Sequence, residues 1–123
     1  MTTNRKHLVL VDDEADNLDM LGTMLSAEYE VTRCTSCPQA LDTVVQNPPH
    51  LVLLDIGMSE IDGVQCLERI RSIPGLSNLP AIAVTAFAYP ADRERCIAAG
   101  FQAFVAKPVI DFAQLMEVIR KYC

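Results

Sequence analysis

Apolar residues recur along the chain in short unbroken runs, each followed by a stretch in which they return every three or four positions. The runs are "HLVLV" (7–11), "YEVTRC" (29–34), "LVLL" (51–54), "AIAV" (81–84) and "FQAFVA" (101–106). Their length and β-branched content predict strands. Between them, Leu18, Leu21 and Leu25 share one helical face, as do Ala40, Leu41, Val44 and Val45, and Val64, Leu67 and Ile70. "PADRERCIAAG" (90–100) opens on proline and closes on glycine, the preferred order for a helix, and Phe112, Leu115, Met116 and Ile119 form a last stripe. Five strands alternating with five helices predict a parallel sheet covered on both faces, with right-handed crossovers. The fold class expected is α/β, a doubly wound single domain over residues 1–123.

Such sheets bind ligands beyond the carboxyl ends of their strands. Strand one ends in Asp12 and Asp13, strand three in Asp55, strand four in Thr85 and strand five in Lys107. Each residue has an ordinary structural use. Asp13 could cap the first helix with Asp16 as partner, Asp55 could start the turn "DIGMSEIDG", Thr85 could cap the fourth helix, and Lys107 could be a solvated lysine. Their convergence on one edge speaks against five separate uses, because clustered carboxylates oppose each other's ionisation unless a cation compensates. A hard divalent cation fits, since Mg²⁺ takes oxygen ligands and typically uses one or two carboxylates with a phosphate oxygen. A carboxylate beside a metal and a lysine suggests phosphoryl transfer onto Asp55, with Mg²⁺ and Lys107 offsetting charge on the oxygens.

Charge narrows the partners. The 123 residues carry sixteen acidic against ten basic side chains, a net charge of -6, so phosphate backbones and anionic lipid are repelled. Neither direct nucleic-acid binding nor membrane association is expected. The apolar run after Arg5 and Lys6 ends at Val11, too short for a secretion signal, and no stretch is long enough to span a bilayer. Five cysteines is an odd number, and a chain of this size needs no disulfide staple, so a cytoplasmic location is expected.

"VLVDDE", "LLDIGMSEIDG", "AVTAFA" and "FVAKP", in this order and each at a strand end, make the chain resemble the receiver domains of two-component response regulators over essentially its whole length. The resemblance implies a flavodoxin-like sheet in the order 2-1-3-4-5 and Asp55 as the phosphoacceptor. Asp12, Asp13, Asp55 and the backbone carbonyl of Gly57 would hold Mg²⁺, with Mn²⁺ as a substitute. Thr85, Ala86 and Lys107 would bind the phosphoryl group. Thr85 and Phe104 would act as the switch, and Lys107-Pro108 would be a cis peptide. Phosphorylation would shift a pre-existing equilibrium on the face of helix four, strand five and helix five, where Tyr89, Arg93, Arg95 and Gln114 are candidate contacts. The donor would be a histidine kinase or histidine phosphotransfer protein, and phosphorylation-dependent homodimerisation is compatible with the family. Two departures stand out: Ser59 replaces the usual proline, and Gly57 and Phe87 occupy positions that tune water access to the phosphoryl group.

His7 and His50 precede strands one and three, placing both at the amino edge, away from Asp55. Cys34 and Cys37 form a C-x-x-C between a strand and a helix, a rival redox signal, although the aromatic and glycine neighbours of thioredoxin-like sites are missing. The competing expectation is that they are small buried hydrophobes. Cys66 and Cys96 are expected to pack helices and Cys123 to be exposed; zinc lacks a second ligand pair. A haloacid-dehalogenase-like phosphatase would place its nucleophile in a D-x-D after strand one, whereas the acids here are adjacent and no cap domain is present. A flavodoxin-like FMN site would be repelled by Asp12 and Asp13. No second composition zone follows Lys121, so no output domain is expected.

Overall fold

The computed structural model describes residues 5–58, 61–86, 89–107 and 112–123. In chain order the elements are β1 (His7–Val11), α1 (Ala15–Leu25), β2 (Glu30–Cys34), α2 (Cys37–Gln46), β3 (Leu51–Leu54), α3 (Gly63–Arg71), β4 (Ala81–Thr85), α4 (Pro90–Ala99), β5 (Ala103–Ala106) and α5 (Phe112–Tyr122). All strand pairs are parallel and the sheet order is β2-β1-β3-β4-β5. The expected doubly wound flavodoxin-like fold is therefore present.

The period-two alternation of a strand divides the core into two layers. Val9, Val11, Val52, Leu54, Ala81 and Ala83 face α2, α3 and Cys96 of α4, while Leu8, Leu10, Leu51, Leu53, Ile82 and Val84 face α1 and α5. Every residue of the three central strands β1, β3 and β4 is buried. The margins differ: β2 and β5 are largely half-buried or exposed, so the expectation of strands covered on both faces holds only for the centre. Among the described residues, no helix is long and apolar enough to cross a membrane.

Several helix ends follow local chemistry. Ser36 caps α2 by accepting from Gln39 N–H, and Pro38 lies in the first turn. Asp62 and Gln65 form a reciprocal capping box on α3, and Gly100 takes the left-handed conformation (φ 101°) after α4, where a side chain would be strained. The α1 cap is Glu14, without a side-chain bond, so Asp13 does not cap this helix. Val45, expected on the buried face of α2, is 60% exposed, because the stripe through Ala40 and Val44 already fills the contact with the sheet. β5 begins at Ala103: Gln102 N–H bonds the carbonyl of Ala81, and Phe101 turns into the core.

The cysteines depart most from expectation. Cys37 is joined not to Cys34 but to Cys66, in a disulfide between α2 and α3 with Cα atoms 5.7 Å apart. The C-x-x-C therefore does not form a dithiol pair, and Cys66 does more than pack a helix. Cys34 and Cys96 are free and buried as expected of small hydrophobes, whereas Cys123 is half-buried.

Candidate functional site

The ladder of hydrogen bonds carries the rigidity of the sheet one residue past the ends of β1 and β3. Asp12 N–H donates to the carbonyl of Cys34 (3.0 Å) and Asp55 N–H to that of Val11 (3.0 Å). Both carboxylates thus leave the centre of the sheet from fixed backbone, and both residues are buried, at 2% and 5% exposure. Asp13, the next residue after Asp12, is exposed. Carboxylate oxygens of Asp12, Asp13 and Asp55 lie within 4.8 Å of one another. All three are hard oxygen donors, the set a Mg²⁺ or Mn²⁺ ion prefers.

Lys107 closes the cluster from the end of β5. Its backbone N–H donates to the carbonyl of Thr85 (2.8 Å). Its ammonium donates to Oδ2 of Asp12 (2.7 Å) and Oδ2 of Asp55 (3.0 Å), and Glu14 Oε1 stands 3.7 Å away. With its side chain only 9% exposed, Lys107 is not a solvated surface lysine. Backbone donors hold the remaining oxygens: Gly57 N–H meets Oδ1 of Asp55 (3.0 Å) and Glu14 N–H meets Oδ1 of Asp12 (2.9 Å). Asn17 also donates to Oδ2 of Asp12. Asn17 belongs to none of the motifs; its signal is its position in the first turn of α1, where a side chain reaches back to the strand end.

Burial and charge act in opposite senses. Desolvation raises the pKa of Asp55, the bonds from Lys107 and Gly57 pull it down, Asp12 adds repulsion, and the net result lies above the ordinary value of 3.8. Burial favours the neutral amine of Lys107, but its bonds to Asp12 and Asp55 outweigh this and raise its pKa. The site is therefore a carboxylate that ionises reluctantly, beside a lysine held charged.

A backbone contact fixes the loop after Asp55. Gly63 opens α3 so close to this loop that an added Cβ would lie 2.5 Å from the Asp55 carbonyl oxygen and 2.9 Å from Ile56 Cα. Asp62, the α3 cap, pairs with Arg95 of α4 at 2.5 Å. Burial raises the Asp62 pKa, but the N–H of Gln65 and the Arg95 guanidinium outweigh it and hold the group below its usual range.

Thr85 is fully buried at the carboxyl end of β4, and Ala86 after it is exposed. Phe104 is half-buried and packs on the core layer beneath α2, α3 and α4. Tyr89, Arg93 and Gln114 are exposed as expected; Arg95 is exposed yet paired with Asp62. His7 and His50 lie together at the amino edge, His7 N–H donating to His50 Nδ1 (3.0 Å). Ser59, Phe87 and Pro108, with the expected cis peptide at Lys107-Pro108, lie outside the described residues.

The sequence pattern of the response regulator receiver domain matches residues 8–120. The chain belongs to the response regulator receiver family. This receiver domain is 33% identical over 118 residues to the polar-differentiation response regulator DivK of Brucella ovis, covering 95% of each chain. A putative response regulator from Chloroflexus aurantiacus J-10-fl superimposes with a TM-score of 0.89 at 28% identity, over 97% of this chain and 98% of the other. The receiver domain of the sensor histidine kinase PA1611 of Pseudomonas aeruginosa PAO1 superimposes with a TM-score of 0.86 at 28% identity, over 96% and 97%. That structure has a magnesium ion coordinated in its active-site cleft.

Proposed function

We infer that this receiver domain takes a phosphoryl group onto Asp55 from a phosphohistidine of a histidine kinase or histidine phosphotransfer protein. The observation that carries the reading is the arrangement around Asp55. Gly57 N–H holds one oxygen, the Lys107 ammonium holds the other, and carboxylate oxygens of Asp12 and Asp13 stand within 4.8 Å. Asp12, Asp13, Asp55 and the Gly57 carbonyl would hold Mg²⁺, which when bound supplies charge neutralisation on the transferring oxygens. The donor set fits the ion, as the magnesium-bound PA1611 receiver also suggests.

In the transfer, an Asp55 oxygen forms a bond to phosphorus while the phosphorus–nitrogen bond to the donor imidazole breaks. The electron pair of that bond goes to the departing nitrogen. Lys107 stays positioned against the accumulating negative charge, and most of the catalysis comes from such placement rather than from acid–base chemistry. His7 and His50, at the opposite edge, take no part, so the phosphohistidine comes from outside. Thr85 and Ala86 at the end of β4 would receive the phosphoryl oxygens. An inward shift of Thr85 with Phe104 would then carry the signal to α4, β5 and α5, a surface for a protein target or a second copy.

Intact-mass spectrometry after incubation with a small acyl phosphate or phosphoramidate tests the reading. A single phosphoryl adduct is expected with Mg²⁺, absent with chelator and absent in Asp55→Asn. Loss of the covalent adduct on Asp12→Asn but not on Asp55→Asn would instead point to a phosphatase-type nucleophile after β1. An adduct that survives in Asp55→Asn, or none under any condition, overturns the assignment.

A further inference from the structure

The phosphoacceptor reading leaves one feature unused, the Cys37–Cys66 pair. The Cα separation of 5.7 Å is one that a disulfide spans without backbone movement. Both residues are buried, Cys37 at 2% and Cys66 at 0% exposure, and they differ in what lies beside them. Cys66, in the middle of α3, is fully enclosed, whereas Cys37 lines a cleft of about 220 Å³ together with Asp13, Ser36, Met58 and Ile61. Cys37 is also the first residue of α2, where backbone N–H groups and the helix dipole favour negative charge on a side chain. Asp13 on the same cleft opposes that charge, so the thiol is less reactive than a dedicated peroxidase cysteine. Cys34 is fully buried, its S–H donates to Thr43 Oγ1 (3.6 Å), and burial pushes its pKa up, which keeps it an inert thiol.

We propose that Cys37 and Cys66 form a peroxide-responsive disulfide, Cys37 being the sulfur that meets the oxidant and Cys66 the one that resolves it. In the dithiol form the Cys37 sulfur attacks one oxygen of hydrogen peroxide. The O–O bond breaks, the other oxygen leaves as water after taking up a proton, and Cys37 becomes a sulfenic acid. The Cys66 sulfur then attacks the Cys37 sulfur, the S–S bond forms, and the S–O bond breaks. The departing hydroxide takes the Cys66 proton as a second water. Two thiols lose two electrons and two protons, and one peroxide becomes two waters. A small dithiol reverses the bond by exchange. The cross-link closes residues 37–66 into a loop that contains Asp55, and so fastens the start of α2 to α3 on one face of the sheet.

The test begins with fully reduced protein treated with stoichiometric hydrogen peroxide, then alkylated without reduction and mapped by mass spectrometry. Two of the five cysteines should be protected, one cross-linked peptide should join Cys37 to Cys66, and a dithiol should restore five reactive sites. The oxidised form should melt about 10 °C higher than the reduced form, since the bond restricts the unfolded chain. Cys66→Ser should trap a dimedone-reactive sulfenic acid on Cys37, and Cys34→Ser should behave as wild type. A cross-link mapped to Cys34, five alkylated cysteines after peroxide, or a dimedone label absent from Cys37 in Cys66→Ser overturns the proposal. The wild-type mapping does not depend on whether the variant folds, and none of these readouts requires phosphate on Asp55.

Discussion

Replacing Lys107 by methionine keeps an aliphatic stem of similar length and deletes a single charge from between Asp12 and Asp55. The charge of the three groups changes from -1 to -2, with carboxylate side chains only 3% and 6% exposed. Removing one partner from a buried ion cluster typically costs 3–5 kcal/mol, and the exposed Asp13 beside the site places this case near the lower end, about 3 kcal/mol. For a domain of this size that is a fall in Tm of roughly 10 °C. Urea unfolding of wild type and Lys107→Met at pH 7.5 in chelator measures it. Mg²⁺ should restore more stability to the variant than it adds to wild type, because under the proposed function the ion would occupy a site that has lost its own cation.

The pH dependence has a definite sign. Lys107 has a raised pKa, so its contribution is fully present below the unfolded lysine value and is lost only as pH rises through the folded one, in strong alkali. Asp55 also has a raised pKa, so the folded protein takes up its proton before the unfolded chain does. Acidifying from neutrality toward 3.8 therefore removes one of the two repelling charges, and the gap between wild type and variant narrows. A loss below about 1 kcal/mol in chelator, or a gap that does not change between neutral pH and pH 4, would refute the reasoning.

Two further substitutions probe the loop behind Asp55. Gly63→Ala forces a Cβ against the Asp55 carbonyl and should cost on the order of 1–3 kcal/mol while lowering the yield of phosphoryl adduct, read by unfolding and by intact mass. Asp62→Ala removes the α3 cap and the Arg95 pair for roughly 1 kcal/mol. Because the Asp62 pKa is depressed, that loss should be present above 3.8 and disappear as pH falls through the lower folded value, and added salt should remove the Arg95 share.

The strands at the centre of the sheet were readable because burial on both faces leaves an unbroken apolar run, and the acidic edge because a parallel sheet gathers its strand ends. Edge strands were less legible. Phe101 and Gln102 look like strand but pack and bond from a turn, since only a neighbour's backbone decides where pairing begins. Asp13 illustrates a different limit: its sequence context suits a helix cap as well as an ion site, and the choice depended on Glu14 taking the cap position. The partners of Cys37 and Arg95 are distant in sequence, so C-x-x-C spacing pointed to the wrong partner for Cys37 and nothing local pointed to Asp62.

The burial gradient across the sheet has a consequence for motion. Asp12, Asp55 and Thr85 stand at the ends of the three strands that are wholly enclosed, which are expected to be among the last segments to open in native-state hydrogen exchange. Phe104 belongs to β5 and Lys107 follows it directly, on a half-covered margin that is expected to open at lower energy. Under the proposed function, the carboxylates of Asp12 and Asp55 are mounted where the sheet is most enclosed. Phe104, which would pass the signal on, sits on the less covered margin, so a small local free-energy change can move that margin without disturbing the centre.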